Sequence, residues 1–93
     1  MTKFTTRVEL INANSEDYDE LHKEMEARNF SRTIISDDGK EYYLPPAEYN
    51  REGNYTREQT LAAAKSASSA TGKKYRVLVT ESNGRSWYNL VPV

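Results

Sequence analysis

Two segments near the ends of the chain alternate between apolar and polar residues. In residues 3–11 every second residue from Phe4 onward is apolar or threonine, and residues 74–81 repeat the pattern from Tyr75 onward. A period of two is typical of a β-strand with one buried face. We therefore predict a strand in each segment, with side chains such as Phe4, Val8 and Val79 facing the core.

Two other segments begin with residues that cap helices. Asn14 or Ser15 precedes a run rich in acidic residues, which the positive end of a helix dipole favours, and this helix should end near Arg28. Thr56 and Gln59 have the spacing of a capping box before a small-residue helix that runs to residue 70. On the first helix, side chains spaced three or four apart predict an inward face made of Tyr18, Leu21, His22 and Met25.

The middle of the chain predicts a hairpin. Residues 31–36 are rich in β-branched side chains, Asp37-Asp38-Gly39 is typical of a turn, and residues 40–44 should return as the partner strand. Pro45-Pro46 ends the ladder because proline donates no backbone hydrogen bond. Residues 47–55 are polar, and we expect an irregular surface loop there.

The last segment predicts a second hairpin. Asn83-Gly84 is the residue pair of a type I′ turn, so residues 85–91 should pair back on the strand at 74–81. The element order is then strand, helix, strand, strand, helix, strand and a final strand. This order predicts an α+β, ferredoxin-like βαββαβ sandwich with an additional C-terminal hairpin strand, in one domain over residues 1–93. Two helices would cover one face of an antiparallel sheet.

Composition narrows the function classes. The 93 residues have a formal net charge of −1 and no cysteine, which excludes disulfides, thiolate zinc sites and a cysteine nucleophile. No apolar run is long enough to span a membrane. We expect a cytoplasmic protein with no metal, no small-molecule cofactor and no membrane partner. A near-neutral chain binds nucleic acid tightly only where its charges segregate on one face.

The open face of the predicted sheet is one candidate for such segregation. It should carry Arg7, Glu9 and Arg76, with Arg32 beside them. One of Tyr42 and Tyr43 must also lie there, since neighbours on a strand point to opposite faces, and we select Tyr43 as the candidate. Sheets of this type bind single-stranded RNA through arginines that contact the phosphates and aromatic rings that stack on the bases. The same residue types are also ordinary on the solvent face of a strand, and the aromatic-glycine consensus of the RNA-recognition motif is missing.

Two further features each have a functional and a plain interpretation. His22 is the only histidine, which excludes a two-histidine ribonuclease mechanism, and it is either a general base or an ordinary boundary residue of the helix. Trp87 and Tyr88 would lie on the terminal strand and suit an edge for dimerisation or partner docking. The alternative is that one of these two rings closes the core.

Short motifs in the first half of the chain resemble the GhoS-like family of type V antitoxins. The first strand opens with Phe4-Thr5-Thr6, which is similar to that family. The other motifs are Asn29-Phe30-Ser31, Thr33-Ile34-Ile35, Asp38-Gly39, Leu44-Pro45 and Ala47-Glu48-Tyr49. The resemblance implies a ferredoxin-like fold related to that of Cas2 proteins, and an endoribonuclease that silences the messenger RNA of a small membrane toxin.

The chain departs from these families at the positions that would carry catalysis. Cas2-type nucleases are expected to have an aspartate at the end of the first strand, where this chain has Asn12 and Asn14. The GhoS-like family has an implicated arginine on the first helix, and here that helix offers His22 in its middle and Arg28 at its end. The family's catalytic assignment therefore does not transfer directly. If the chain cleaves RNA, these departures favour a metal-independent route, with His22 as base and Arg28 or Arg32 stabilising the phosphorane.

The sequence leaves two function classes open. The first is a GhoS-like, antitoxin-type protein that binds single-stranded RNA, either with or without cleaving it. The second is a non-enzymatic dimerisation or protein-interaction module, of phage or accessory-genome type, that docks through its sheet edge. A small-molecule enzyme comes third because no constellation of pocket residues is evident.

Overall fold

The computed structural model describes residues 1–93 and contains two helices and five strands. In chain order the elements are β1 (Thr2–Leu10), α1 (Ser15–Glu26), β2 (Thr33–Ile35), β3 (Glu41–Tyr43), β4 (Glu48–Gly53), α2 (Arg57–Ser69) and β5 (Tyr75–Ser82). The α+β class, the two helices and an antiparallel sheet are confirmed. Neither helix is long and apolar enough to cross a membrane.

The central sheet has the strand order β4-β1-β5, with both pairings antiparallel. The predicted alternation of β1 is confirmed, since Phe4, Thr6, Val8 and Leu10 are all buried. The helices cover this inner face, where Leu21 of α1 and Ala64 of α2 belong to one core cluster with Val8. The small residues of α2 let its backbone lie close to the strands.

Both helix starts form as the sequence predicts. The Asn14 side chain accepts a hydrogen bond from the Asp17 backbone, and the Asp17 carboxylate accepts one from the Asn14 backbone in return. Thr56 and Gln59 form the same reciprocal pair at the start of α2. These caps satisfy backbone donors that a helix start otherwise leaves unpaired.

The prediction of a surface loop over residues 47–55 was wrong, because Glu48–Gly53 forms β4 and pairs with β1. Tyr49, Asn50 and Arg51 are buried despite their polar groups. Polar residues can be buried where each polar group finds a partner, and such partners come from distant parts of the chain that no local pattern contains.

Arg51 illustrates how this strand becomes an interior element. Its Nε donates to the carbonyl of Arg28 at 3.1 Å, and a terminal nitrogen donates to Thr60 Oγ1 at 3.3 Å. The guanidinium carbon lies 3.6 Å from the centre of the Tyr55 ring and 5.0 Å from that of Phe30. No carboxylate pairs with Arg51, so aromatic faces and uncharged acceptors hold this buried cation.

The hairpin is confirmed, but it does not join the central sheet as a full strand. β2 and β3 form a separate two-stranded sheet with Ile34 opposite Tyr42. Gly39 closes the turn with a φ of +85°, which glycine adopts without strain. The hairpin meets the central sheet through one bridge, in which Ser31 and Asn50 exchange two backbone hydrogen bonds of 2.7 Å.

The predicted terminal strand over residues 85–91 was wrong. A type I′ turn needs positive φ at both central residues, and Asn83 does not have it, so the chain does not fold back on β5. Arg85 instead crosses the outer face of the sheet and donates to Thr5 Oγ1, the Phe4 carbonyl and Asn50 Oδ1. The chain then runs beside β3, where Pro92 bridges Tyr42.

Candidate functional site

A pocket of about 360 Å³ opens at the edge of β1, where β4 begins. The last residue pair of β1 and β4 joins Arg7 to Glu48, and one further bond links the Val8 backbone N–H to the Ala47 carbonyl. Beyond that point the chain leaves the sheet through Pro46. The residues that line the pocket include Arg7, Glu9, Tyr18, His22, Arg32 and Ala47.

His22 lies on α1 at the pocket wall, where its Nδ1 is 2.6 Å from the hydroxyl of Tyr49. The Tyr49 side chain is fully buried, and its hydroxyl makes no other hydrogen bond. A buried hydroxyl needs an acceptor for its proton. We therefore assign Tyr49 as the donor and Nδ1 as the acceptor, which leaves the proton of the neutral imidazole on Nε2.

The electrostatic surroundings keep His22 neutral. Burial lowers its pKa from the ordinary 6.5, and the nearby Arg32 guanidinium lowers it further, against the opposing effect of Asp19 and Glu26. Burial also raises the pKa of Tyr49, so its phenol keeps its proton. The pair is thus an uncharged donor and acceptor unit at neutral pH.

Two arginines of the pocket have no partner inside the molecule. Arg7 and Arg32 are exposed, and neither forms an ion pair or a side-chain hydrogen bond. The one carboxylate that lines the pocket, Glu9, is paired with Arg76 at 2.7 Å. The pocket therefore carries two guanidinium groups that form no ion pair.

The pocket is also built from a strained loop and a capped strand edge. Ala47 has a φ of +67°, which is costly for a residue with a Cβ atom, by about 1–2 kcal/mol. The Tyr18 hydroxyl accepts from the Leu10 backbone N–H at 3.0 Å and so closes the β1 edge that β4 leaves free. Strain of this kind is common around ligand sites.

The structure does not bring Arg28 to His22. Arg28 forms an ion pair with Glu24 at 3.1 Å, donates to the Glu24 carbonyl, and reaches Ser66 of α2 at 3.2 Å. The contact with Ser66 joins the two helices, and Arg28 does not line the pocket. Arg32, the other residue that the sequence offered for this role, does line the pocket with His22.

The outer face of the central sheet carries balanced charges. Lys3 is opposite Glu52 and Arg7 is opposite Glu48 across β1 and β4, while Arg76 is ion-paired with Glu9. Tyr43 lies on β3 of the separate hairpin and not on a strand of the central sheet. The four residues predicted to bind RNA, Arg7, Arg32, Tyr43 and Arg76, therefore do not form one surface, and only Arg7 and Arg32 share the pocket.

Trp87 and Tyr88 lie in the irregular C-terminal segment rather than on a strand. The Trp87 ring packs against Tyr42 of the same chain with centroids 5.8 Å apart, and 37% of the residue stays exposed. Tyr88 is 93% exposed. Trp87 thus helps to hold the C-terminal segment on the hairpin.

Sequence reasoning missed the role of two tyrosines. Tyr49 lies in the segment that we predicted to be a loop, so no local pattern predicted its contact with His22. The motif Ala47-Glu48-Tyr49 was noted only for the family resemblance. Tyr18 was interpreted only as an apolar member of the helix stripe, although a buried phenol usually finds a polar partner. No group of three or more His, Cys, Asp or Glu side chains is placed to hold a metal ion.

Comparison with known proteins adds no assignment. No protein-family model matches the chain, and no curated protein matches it significantly.

Proposed function

We propose that this protein binds single-stranded RNA by its phosphate backbone at the pocket formed by Arg7, His22 and Arg32. One observation carries the proposal: two arginines without partners and a neutral histidine line the same pocket. Exposed cations beside a polar donor are the usual groups that bind a phosphate.

The assigned tautomer of His22 supports binding. With Nδ1 accepting from Tyr49, the Nε2–H group remains as a donor for a phosphate oxygen. Arg7 and Arg32 then supply the charge, and His22 supplies an uncharged directional contact. The absence of aromatic rings on the outer face favours contact with phosphates over a stacking platform.

Cleavage requires a further change at His22. To take the proton of a ribose 2′-hydroxyl, the imidazole must present an unprotonated Nε2, so its proton must move to Nδ1 and Tyr49 must become the acceptor. Arg32, rather than Arg28, would then stabilise the charge of the phosphorane. Such cleavage would be independent of metal.

The resemblance to GhoS-like antitoxins gives this proposal its biological context. The bridge between Ser31 and Asn50 places one further segment of chain beside β4. The sheet then has the order Ser31 segment, β4, β1, β5. That arrangement supports a ferredoxin-like fold. In it the Ser31 segment is the second strand and β4 the third strand of the βαββαβ chain order, and the β2–β3 hairpin is an additional element. On this proposal the protein is a cytoplasmic, antitoxin-type RNA binder.

The test measures the affinity for single-stranded RNA by fluorescence anisotropy over a series of salt concentrations. The expected result is an affinity that falls steeply with salt, and a logarithmic slope that is smaller by about one in Arg7→Ala and in Arg32→Ala. Arg57→Ala is the matched control, because this exposed arginine at the start of α2 does not line the pocket. Equal losses in all three variants, or affinity that does not depend on salt, would contradict the proposal.

A second assay separates cleavage from binding. The same RNA is incubated with the wild type and with His22→Ala, each with and without EDTA. Cleavage that survives EDTA and disappears in a folded His22→Ala variant supports catalysis at the pocket. Binding without cleavage leaves the protein as an RNA binder only.

A further inference from the structure

The free edge of β5 is the longest unprotected strand edge in the molecule. β5 has eight residues and only one neighbour, β1, because residues 85–91 do not pair with it. The other edge of the central sheet is shorter and partly covered, since Ser31 bridges Asn50 of β4, and the Tyr18 hydroxyl caps the end of β1. An unpaired edge is a template for another strand.

The hydrogen-bond pattern shows which backbone groups face outward. Val8 donates to the β4 side of β1, so in an antiparallel sheet the alternate residues Arg7 and Glu9 bond to β5. Their partners are Leu78 and Arg76. The N–H and C=O groups of the intervening β5 residues point away from β1, and none makes a backbone bond elsewhere. These residues are Tyr75, Val77, Val79 and Glu81.

β5 lacks several of the devices by which proteins usually block an edge. It contains no proline or lysine, and its register with β1 is continuous, without a bulge. Its two charged residues are Arg76, which is already paired with Glu9, and Glu81 near the end of the strand. Leu78 projects from the outer face with 65% of its surface exposed.

We propose that β5 pairs in antiparallel fashion with β5 of a second copy of this chain, around a two-fold axis at Leu78. This register aligns the strand with itself over residues 75–81. It gives about eight intermolecular backbone hydrogen bonds, whereas registers centred on Val77 or Val79 give about six. The dimer would contain one continuous six-stranded sheet.

The side chains fit this register on both faces. Leu78 meets Leu78 of the second copy at a non-hydrogen-bonded position, where cross-strand side chains are closest. On the inner face Val77 lies opposite Val79 of the other copy, and Tyr75 lies opposite Glu81. Arg76 faces Thr80, so no like charges are opposed. Self-complementarity of this kind is what an isologous two-fold interface requires.

The test is sedimentation equilibrium of the full chain over a concentration series, with two acidic substitutions on the same face of β5. Leu78→Asp places two carboxylates together at the axis, and we expect self-association to weaken by about tenfold or more. Thr80→Glu places a carboxylate opposite Arg76 of the second copy, and we expect association to tighten by about threefold. Circular dichroism checks that both variants fold.

A third variant tests the backbone contribution. Val79→Pro removes an N–H group that faces the free edge and makes no bond to β1, so it should weaken the dimer while the monomer stays folded. A wild type that remains monomeric at its highest soluble concentration would overturn the proposal. A dimer that Leu78→Asp leaves unchanged would also overturn it, and would direct attention to the exposed hairpin residues Ile35 and Tyr43.

Discussion

The outer face of the central sheet and the pocket at the edge of β1 both carry arginines, but in different states. On the outer face Arg76 is paired with Glu9 at 2.7 Å, and Arg85 makes three hydrogen bonds to the strands that it crosses. In the pocket, Arg7 and Arg32 contact no acceptor. A cation whose donors are satisfied stabilises the fold, whereas one without partners is free to bind a ligand.

Arg51 extends this comparison to the interior and gives the largest expected effect on stability. Arg51→Ala removes two hydrogen bonds and the packing against two rings, and we expect the free energy of unfolding to fall by about 3 kcal/mol. Arg32→Ala is the matched variant and should change it by less than about 0.5 kcal/mol. Urea unfolding measures both, and equal losses would remove the distinction between engaged and free arginines.

Tyr49→Phe tests how the pocket sets the state of His22, with a smaller effect. The variant keeps the buried ring but leaves Nδ1 of His22 without a donor, which should cost about 1 kcal/mol in unfolding free energy. The neutral imidazole loses its stabilising bond, so the pKa of His22 should rise. NMR titration reads this pKa directly, because His22 is the only histidine.

The same titration checks the assigned tautomer. If Tyr49 instead accepted a proton from Nδ1, its hydroxyl would favour the charged imidazole. In that case Tyr49→Phe would lower the pKa of His22 further.

The pH dependence of stability is the smallest expected effect. The pKa of His22 is lowered in the folded protein relative to the ordinary 6.5, so below pH 6.5 the unfolded chain binds a proton that the folded chain resists. The contribution of His22 to stability is therefore present above pH 6.5 and is lost as the pH falls towards the folded pKa. In His22→Gln this part of the pH dependence should disappear from urea unfolding curves, while an unchanged pH profile would contradict the assignment.

Local signals in the sequence predicted the elements whose contacts are local. The alternation around Phe4 and the capping pairs Asn14–Asp17 and Thr56–Gln59 each depend on residues within a few positions of one another. The turn at Gly39 was predicted for the same reason, since its φ of +85° is a property of one residue.

Elements held by distant partners were missed. β4 contains Arg51, whose acceptors and rings come from the end of α1 and the start of α2. The Asn83-Gly84 pair predicted a hairpin, but Arg85 gains three hydrogen bonds by crossing the sheet instead. The candidate site was partly visible, because His22, Arg7 and Arg32 were named. The pairs Arg7–Arg32 and His22–Arg32 were each considered, but the placement of all three in one pocket was not predicted, since it depends on where β4 begins.

The most direct test of the pocket follows the ring nitrogens of His22 by long-range ¹H–¹⁵N NMR during a titration with single-stranded RNA. The proposed function predicts that these signals shift as RNA binds in the wild type and in Arg57→Ala, while the Arg7→Ala, Arg32→Ala double variant neither binds nor shifts. RNA that binds without moving the His22 signals, or that does not bind the wild type at low salt, would contradict it.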